Sequence, residues 1–539
     1  MKITKILSLV LCFILTLGIL SGCGGNGATS SDASGTSSTS SASQGLGGFG
    51  QKLVMTSPSG SFFYGNEFNV TWKGTKAGET VSLLLEKKNG NSFTKVLEKT
   101  GLTGTEFKSG QKLENATYRI KLTAVSKDGT ERLASNTKGD GLEITIVPLV
   151  KNATINKGRN FTFSGSISFE VLNNYLDRAA TYYLYEMNTQ SGLNTDKMNE
   201  SLRALLNMGV KYVNRATTAW TSSSGEELYF SDMAKWIEFA HSYDPEIIFE
   251  ACIFETCSNG MASIKIPDWV FKAFGKKVED RNFDNTKMLF SNKYGFNQWG
   301  DGIHIPDITK EETQMWFYYR ACRYIDMGYE SLHLGQANLI GKQDTGNKCW
   351  TKVINMIREY AKTHARRKYV LLNCHYPGHR FMSYDDGKML VDFNAFPLRL
   401  SSYSITNNKP TDVTFSMGAG KDSPYKKGIK GTSPSGWTTD NYPYLVEYDN
   451  WGGLTGENTY DEISWYANQP QSYRHEVLKH FVRTVESFNE NGHVTMPGHR
   501  TAYLLSEKKQ SYYRCNDKKF AENGQGDEQA IIEAYKLAK

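Results

Sequence analysis

In PYLVEYDNWGG, Pro443 to Gly453, two carboxylates stand two residues apart at the end of a short apolar run, with Trp451 and a Gly-Gly pair behind them. Successive side chains of an extended strand alternate, so Leu445, Glu447 and Asp449 share a face and both acids project to one side. Similar endings recur along the chain. TYYLYEMN ends in Glu186 and Asn188, VKYVNRAT carries Asn214 and Arg215, and EIIFEACIFE carries Glu250 and Glu255. SLHLGQANL offers His333, Gln336 and Asn338, YVLLNCHYP offers Asn373 and His375, MLVDFNAF offers Asp392 and Asn394, and HVTMPGHR ends in His499 and Arg500. Buried charges are costly unless paired, so packing alone gives no reason for polar groups at one end of almost every strand. Carboxylates, amides, imidazoles and the indoles of Trp220, Trp299 and Trp451 together suit a sugar. Acids and amides take its hydroxyls, and aromatic faces cover the apolar side of a pyranose. Two carboxylates would then serve as general acid and as nucleophile or base.

Glu447 and Glu186 are the expected principal pair, with Glu250, on one face with Ile248 and Cys252, as the third catalytic candidate. Substrate contacts are expected from Asn188, Arg215, Trp220, His333, Gln336, His375, Asp392, Asp449, Trp451, His499 and Arg500. For each acid the alternative is a strand-end residue salt-bridged to an arginine such as Arg215 or Arg500. Replacing Glu447 with Gln is expected to abolish turnover with folding intact. HYPGH, His375 to His379, carries two imidazoles four apart, but Pro377 and Gly378 forbid a regular helix, so zinc-protease geometry is unavailable and a site loop is expected. No GxSxG elbow, P-loop, HExxH or CxxC occurs, and neither a metal nor a cofactor is expected.

The elements that would position these residues fall into blocks. From 180 to 539 apolar strand runs alternate with amphipathic helical ones such as TDKMNESLRALLNMG and CWTKVINMIREYAKTHA. Repeated strand and helix units imply a parallel sheet with its crossovers outside, and eight strand candidates point to a closed (β/α)8 TIM barrel. Ligands of such a barrel bind at the C-terminal strand ends, where the polar residues lie. From 51 to 148, short alternating runs such as EFNVTWKG and TYRIKLTAVS, separated by turns, predict an all-β sandwich. The order of these runs resembles the immunoglobulin-like modules found beside bacterial surface enzymes, with Trp72 as core aromatic. The fold class is thus multidomain, an immunoglobulin-like sandwich followed by the barrel. Residues 149–179 read as a connecting segment, and the Gly- and Ser-rich stretch 23–50 as a flexible linker.

The barrel region resembles the (β/α)8 glycoside hydrolases, especially the retaining ones with a nucleophilic glutamate at the end of strand seven, the place of Glu447. That resemblance implies an acid/base glutamate at the end of strand four, after an asparagine. Here the strand reads HLGQANL, and Gln336 cannot donate a proton as a carboxylic acid does. The acid then comes from elsewhere, with Glu186, Glu250 and Asp392 as candidates, or the barrel belongs to a different family, or it binds glycan without cleaving it. The leading expectation is a surface-anchored glycoside hydrolase; the alternative is a glycan-binding or adhesion lipoprotein. A hydrolase or lyase for a non-sugar substrate is a third.

The N-terminus bears on where it works. Lys2 and Lys5 precede an apolar run, Ile6 to Leu20, as in a secretory signal, expected to span 1–22. Leu20-Ser21-Gly22-Cys23 looks like the lipobox of bacterial lipoproteins, in which the chain is cut before the cysteine and lipid is attached to its sulfur. By that resemblance Cys23 anchors the protein to the outer face of the cell membrane. The net charge of +6 is spread without a long basic block, so a nucleic-acid partner is not expected. A glycan and the membrane are the expected partners, and the protein is expected to be a monomer. Cys252, Cys257, Cys322, Cys349, Cys374 and Cys515 are scattered, several in strand-like runs, and are expected to be mostly unpaired.

Overall fold

The computed structural model describes residues 52–65, 67–137, 139–184, 188–189, 192–193, 195–218, 220–402, 410–416, 424, 426–450 and 461–538. The expected signal, linker and lipidation site at Cys23, together with Glu186 and Trp451, lie outside the described residues. The chain divides into two compact units, the first ending at Ile144 and the second running from Thr145 to Lys539, with Phe62–Phe68 and Gln111–Asn115 grouped with the second.

The first unit is a β-sandwich. Val54–Ser57, Asn69–Lys73 and Glu106–Lys108 pair antiparallel in one sheet, and Thr80–Asn89 lies between Ser92–Leu102 and Thr117–Val125 in the other. Thr117–Val125 alternates strictly between half-buried and buried residues, the pattern of a strand with one face on a core. Trp72 is buried, as are Val70, Leu83, Leu85, Ile120 and Leu122.

In the second unit eight parallel strands close into a barrel. They are Ala179–Tyr182, Tyr212–Thr218, Ile248–Cys252, Ser331–Gln336, Leu371–His375, Phe393–Pro397, Tyr444–Glu447 and an eighth split into Gly492–Val494 and Met496–Leu504. Gly492–Val494 pairs with the seventh strand and Met496–Leu504 with the first, so the break at Thr495 passes the ladder from one neighbour to the other. The Thr495 N–H still reaches the Val446 carbonyl at 2.9 Å. At Gly498 the closing strands come so close that a Cβ would lie 2.6 Å from Tyr182 Cδ2 and 2.7 Å from the Thr181 carbonyl.

Amphipathic helices cover the outside. Lys348–His364 buries Trp350, Val353, Ile354, Ile357 and Ala361, the spacing of one helical face. Its start is fixed by Asp344, whose carboxylate accepts from the Cys349 and Trp350 main-chain N–H groups at 3.0 and 2.9 Å. Among the described residues no α-helix follows the fifth or sixth strand; HYPGH instead makes a short 3-10 turn, Pro377–His379.

The segment read as a connector is part of this unit. Its helix Phe169–Leu176, N-capped by Ser168, packs Val171, Leu172, Tyr175 and Leu176, with Phe161, Phe163 and Ile167, onto Tyr212, Ile248, Leu371, Phe393 and Leu445. These last five sit at the N-terminal ends of barrel strands, so the segment is the floor of the barrel. The Ser-, Asn- and Gly-rich lettering of 149–179 hid its widely spaced aromatic and aliphatic anchors. Asp392 also lies at this floor end, immediately before the sixth strand. Its carboxylate takes the Tyr369 hydroxyl at 2.5 Å, the Leu372 N–H at 2.8 Å and an Arg358 N–H at 3.2 Å. It is therefore on the opposite side from the C-terminal strand ends and cannot supply the acid or contact substrate there.

Candidate functional site

Above the apolar floor the barrel interior becomes polar. Glu250, one alternation step up from Ile248, is fully buried and accepts four hydrogen bonds. They come from the Tyr212 hydroxyl at 2.5 Å, Asn373 Nδ2 at 2.5 Å, Asn214 Nδ2 at 3.1 Å and the Arg215 main-chain N–H at 3.0 Å. Such saturation is what lets a carboxylate stay inside a barrel. It also removes Glu250 from the catalytic candidates, because no face of the carboxyl is open to a substrate; it acts as a positioning residue.

What Glu250 positions is Arg215. The second strand shifts register between Val213 and Thr217, and Arg215 takes φ +56°, a conformation non-glycine residues seldom adopt. The irregularity breaks alternation, so Asn214 and Arg215, adjacent in sequence, both reach into the interior. Arg215 there meets the end of the seventh strand. Its Nε donates to Glu447 Oε2 at 3.0 Å and its Nη2 to Glu447 Oε1, a two-pronged pair. Arg500 Nη1 lies 3.6 Å from Glu447 Oε2, and His375 Nε2 lies 3.4 Å from Oε1.

Glu447 is 1% exposed. Burial opposes its ionisation, but the Arg215 charge, the His375 hydrogen bond and Arg500 outweigh it and hold the carboxyl well below the usual carboxylate range. At neutral pH it is an anion: able to attack, to accept a proton or to stabilise a cation, and unable to donate a proton.

Around this pair the expected site residues separate. Asp449 bridges Arg500 at 3.5 Å and Arg399 at 3.2 Å, and Arg399 also reaches Glu462 at 3.3 Å. Burial pushes Glu462 up to about 7, against the pull of Arg399 and with the help of Asp449. His333 is buried, its Nδ1 2.6 Å from Asn373 Oδ1, and its ring meets that of His375 edge-on. Burial first, then the Arg215 charge, holds His333 well below its ordinary value, so it stays neutral. His499 is buried among the rings of Tyr182, Tyr183 and Tyr512, while its neighbour Arg500 reaches Glu447. Asn188 lies in a two-residue strand, Asn188–Thr189, paired with Gly192–Leu193.

Trp220 is 38% exposed and sits edge-on to Trp299 and Phe254, with ring centroids 5.5 and 5.2 Å away. Phe254 lies beneath the Arg215 guanidinium at 5.6 Å and against His333. An exposed indole backed by two further aromatics and joined to the ionic centre is a surface on which a sugar ring could stack.

Arg399, Glu462 and Phe254 were not among the expected site residues. Arg399 and Glu462 stand in no strand-end motif; they meet Asp449 only through the loops after the sixth and seventh strands. Phe254 was legible in principle, as the aromatic beside Glu255 at the end of EIIFEACIFE. The six described cysteines are all unpaired, and among the described residues no cluster suited to a metal ion occurs.

No protein-family model matches the chain, and no curated protein matches it. Solved structures do. The type III pullulan hydrolase from Thermococcus kodakarensis is 12% identical over 90% of this chain and 87% of its own, with a TM-score of 0.34. The isomalto-dextranase of Arthrobacter globiformis T6, complexed with panose, is 9% identical over 68% of this chain and 57% of its own, also at 0.34. An Fn3-like protein from Clostridium thermocellum is 19% identical over 18% of this chain and 85% of its own, at 0.12. The similarity to glycoside hydrolases is thus distant, and the chemistry of the site rests on its own geometry.

Proposed function

We propose that this protein is a glycoside hydrolase of the cell surface, tethered through lipid on Cys23, that cleaves an extracellular glycan with Glu447 as its nucleophile. The observation that carries the reading is the state of Glu447: an ionised carboxylate at the C-terminal end of a barrel strand, oriented by a two-pronged arginine. An anion so fixed suits attack on an anomeric carbon and stabilisation of the positive charge that develops there. His333 and His375 offer imidazole nitrogens for sugar hydroxyls, and Trp220 offers a stacking face. The test is sugar release from a panel of bacterial, plant and host glycans by the purified protein. Release from at least one class is expected; none across the panel contradicts the proposal.

One observation favours a second reading, a glycan-binding protein without turnover. Glu447 is almost wholly covered and both its oxygens face arginines, the arrangement of a structural ion pair. Under that reading the panel shows binding by calorimetry and no released sugar.

A further inference from the structure

The fourth strand ends without an acid of its own, yet a carboxyl group occupies that end. Glu255, three residues beyond the third strand, accepts the Gln336 main-chain N–H on Oε2 at 2.9 Å and the Gln336 side-chain amide on Oε1 at 2.9 Å. It lies over Gly335, which takes φ +72°, so closely that a Cβ there would fall 2.1 Å from Glu255 Oε2. The third-strand loop thus lays its carboxyl along the terminus of the fourth strand, and the absent side chain of Gly335 makes the room. Gln336 is paired in register with His375, whose ring reaches Glu447, so the Gln336–His375 pair links the contacts of Glu255 to those of Glu447.

Glu255 is also tied to the aromatic surface. Trp299 Nε1 donates to its main-chain carbonyl at 3.2 Å, and the next residue, Thr256, holds the Trp220 carbonyl at 2.6 Å. Both hydrogen-bond donors to its carboxyl are neutral amides, and among the described residues it has no ion-pair partner. Glu447, Asp449 and Glu462 are each paired with an arginine, whereas Glu250, like Glu255, has neutral donors only but is saturated by four of them.

We infer that Glu255 is the general acid and base of the site, an inference that rests on the glycoside-hydrolase reading. Protonated Glu255 gives its proton to the glycosidic oxygen as the bond from that oxygen to the anomeric carbon breaks. Glu447 bonds to the anomeric carbon, and the alcohol leaves. Glu255, now a carboxylate, takes a proton from water as the water oxygen attacks the same carbon. The ester to Glu447 breaks, the sugar leaves, and Glu255 is again protonated. Gln336 becomes a positioning residue: it holds the acid that its own position lacks.

The experiment compares wild type, Glu255→Gln and Glu447→Gln on phenyl and 2,4-dinitrophenyl glycosides of the sugar released in the panel assay. Glu255→Gln is expected to lower kcat/KM on the phenyl glycoside by about 10²- to 10⁴-fold. It should leave the dinitrophenyl glycoside, whose leaving group needs no proton, within about tenfold of wild type. Glu447→Gln should fail on both. Equal losses of Glu255→Gln on both substrates, or activity within about threefold of wild type on the phenyl glycoside, overturns the assignment of Glu255 while leaving that of Glu447 standing. No turnover by wild type overturns both. Gln336→Leu supplies a second readout if Glu255→Gln melts early. Loss of one donor to the charged form should move the alkaline limb of the kcat/KM profile to higher pH, and an unmoved limb counts against Glu255.

Discussion

Arg215 is buried with its guanidinium on one carboxylate, and a partner removed from such a pair leaves a charge with nothing to balance it. Glu447→Gln should therefore lower folding stability by about 3–5 kcal/mol, measured by urea unfolding, and the expectation that it would leave folding intact gives way. Arg215→Met combined with Glu447→Leu should cost less than either change alone, because no charge is then stranded. Since the folded pKa of Glu447 lies below its unfolded one, the stabilisation from its pairing is complete above about pH 4.5 and is lost as pH falls through the folded value. His379 and His499 act in the same direction: burial holds each at about 3, against 6.5 when free. Both fold as neutral rings, so stability should decline as pH drops from about 6.5 toward 3, by about 1.4 kcal/mol per pH unit for each imidazole. A thermal midpoint that stays flat between pH 6.5 and 4 would contradict this.

Among elements, closure of the barrel depends on the split eighth strand meeting the first. Gly498→Ala puts a methyl group against Tyr182 and the Thr181 carbonyl, and should destabilise by about 1–3 kcal/mol as overpacking does. A variant as stable as wild type would show that the strands can part without loss. The order and type of the barrel strands were legible because almost every one is a short apolar run with a polar end. The sandwich was legible because its alternation is clean. Alternation also placed Glu250 correctly beside Ile248 and Cys252, but it could not tell a saturated interior carboxylate from an available one, since that depends on donors from two other strands. Nor could it show Arg215 turning inward, because the strand irregularity that does so leaves no mark in VKYVNRAT. Asp392 was misplaced for a simpler reason: MLVDFNAF reads as one strand, whereas the strand begins after the aspartate.

For the whole molecule, export and anchoring are proposals with their own test. Cys23→Ser, expressed in a bacterium that processes lipoproteins, should move the protein from the detergent phase to the aqueous phase on phase separation; unchanged partitioning would argue against lipid on Cys23. The most direct test of the central claim, that the barrel works through a covalent bond at Glu447, is the mass of the protein after incubation with a 2-deoxy-2-fluoroglycosyl fluoride of the sugar it releases. The account predicts a gain of one fluoroglycosyl group, mapped by peptide sequencing to Glu447 within PYLVEYDNWGG. Turnover of the natural glycan together with an unlabelled Glu447, or a label on another carboxylate, would contradict it.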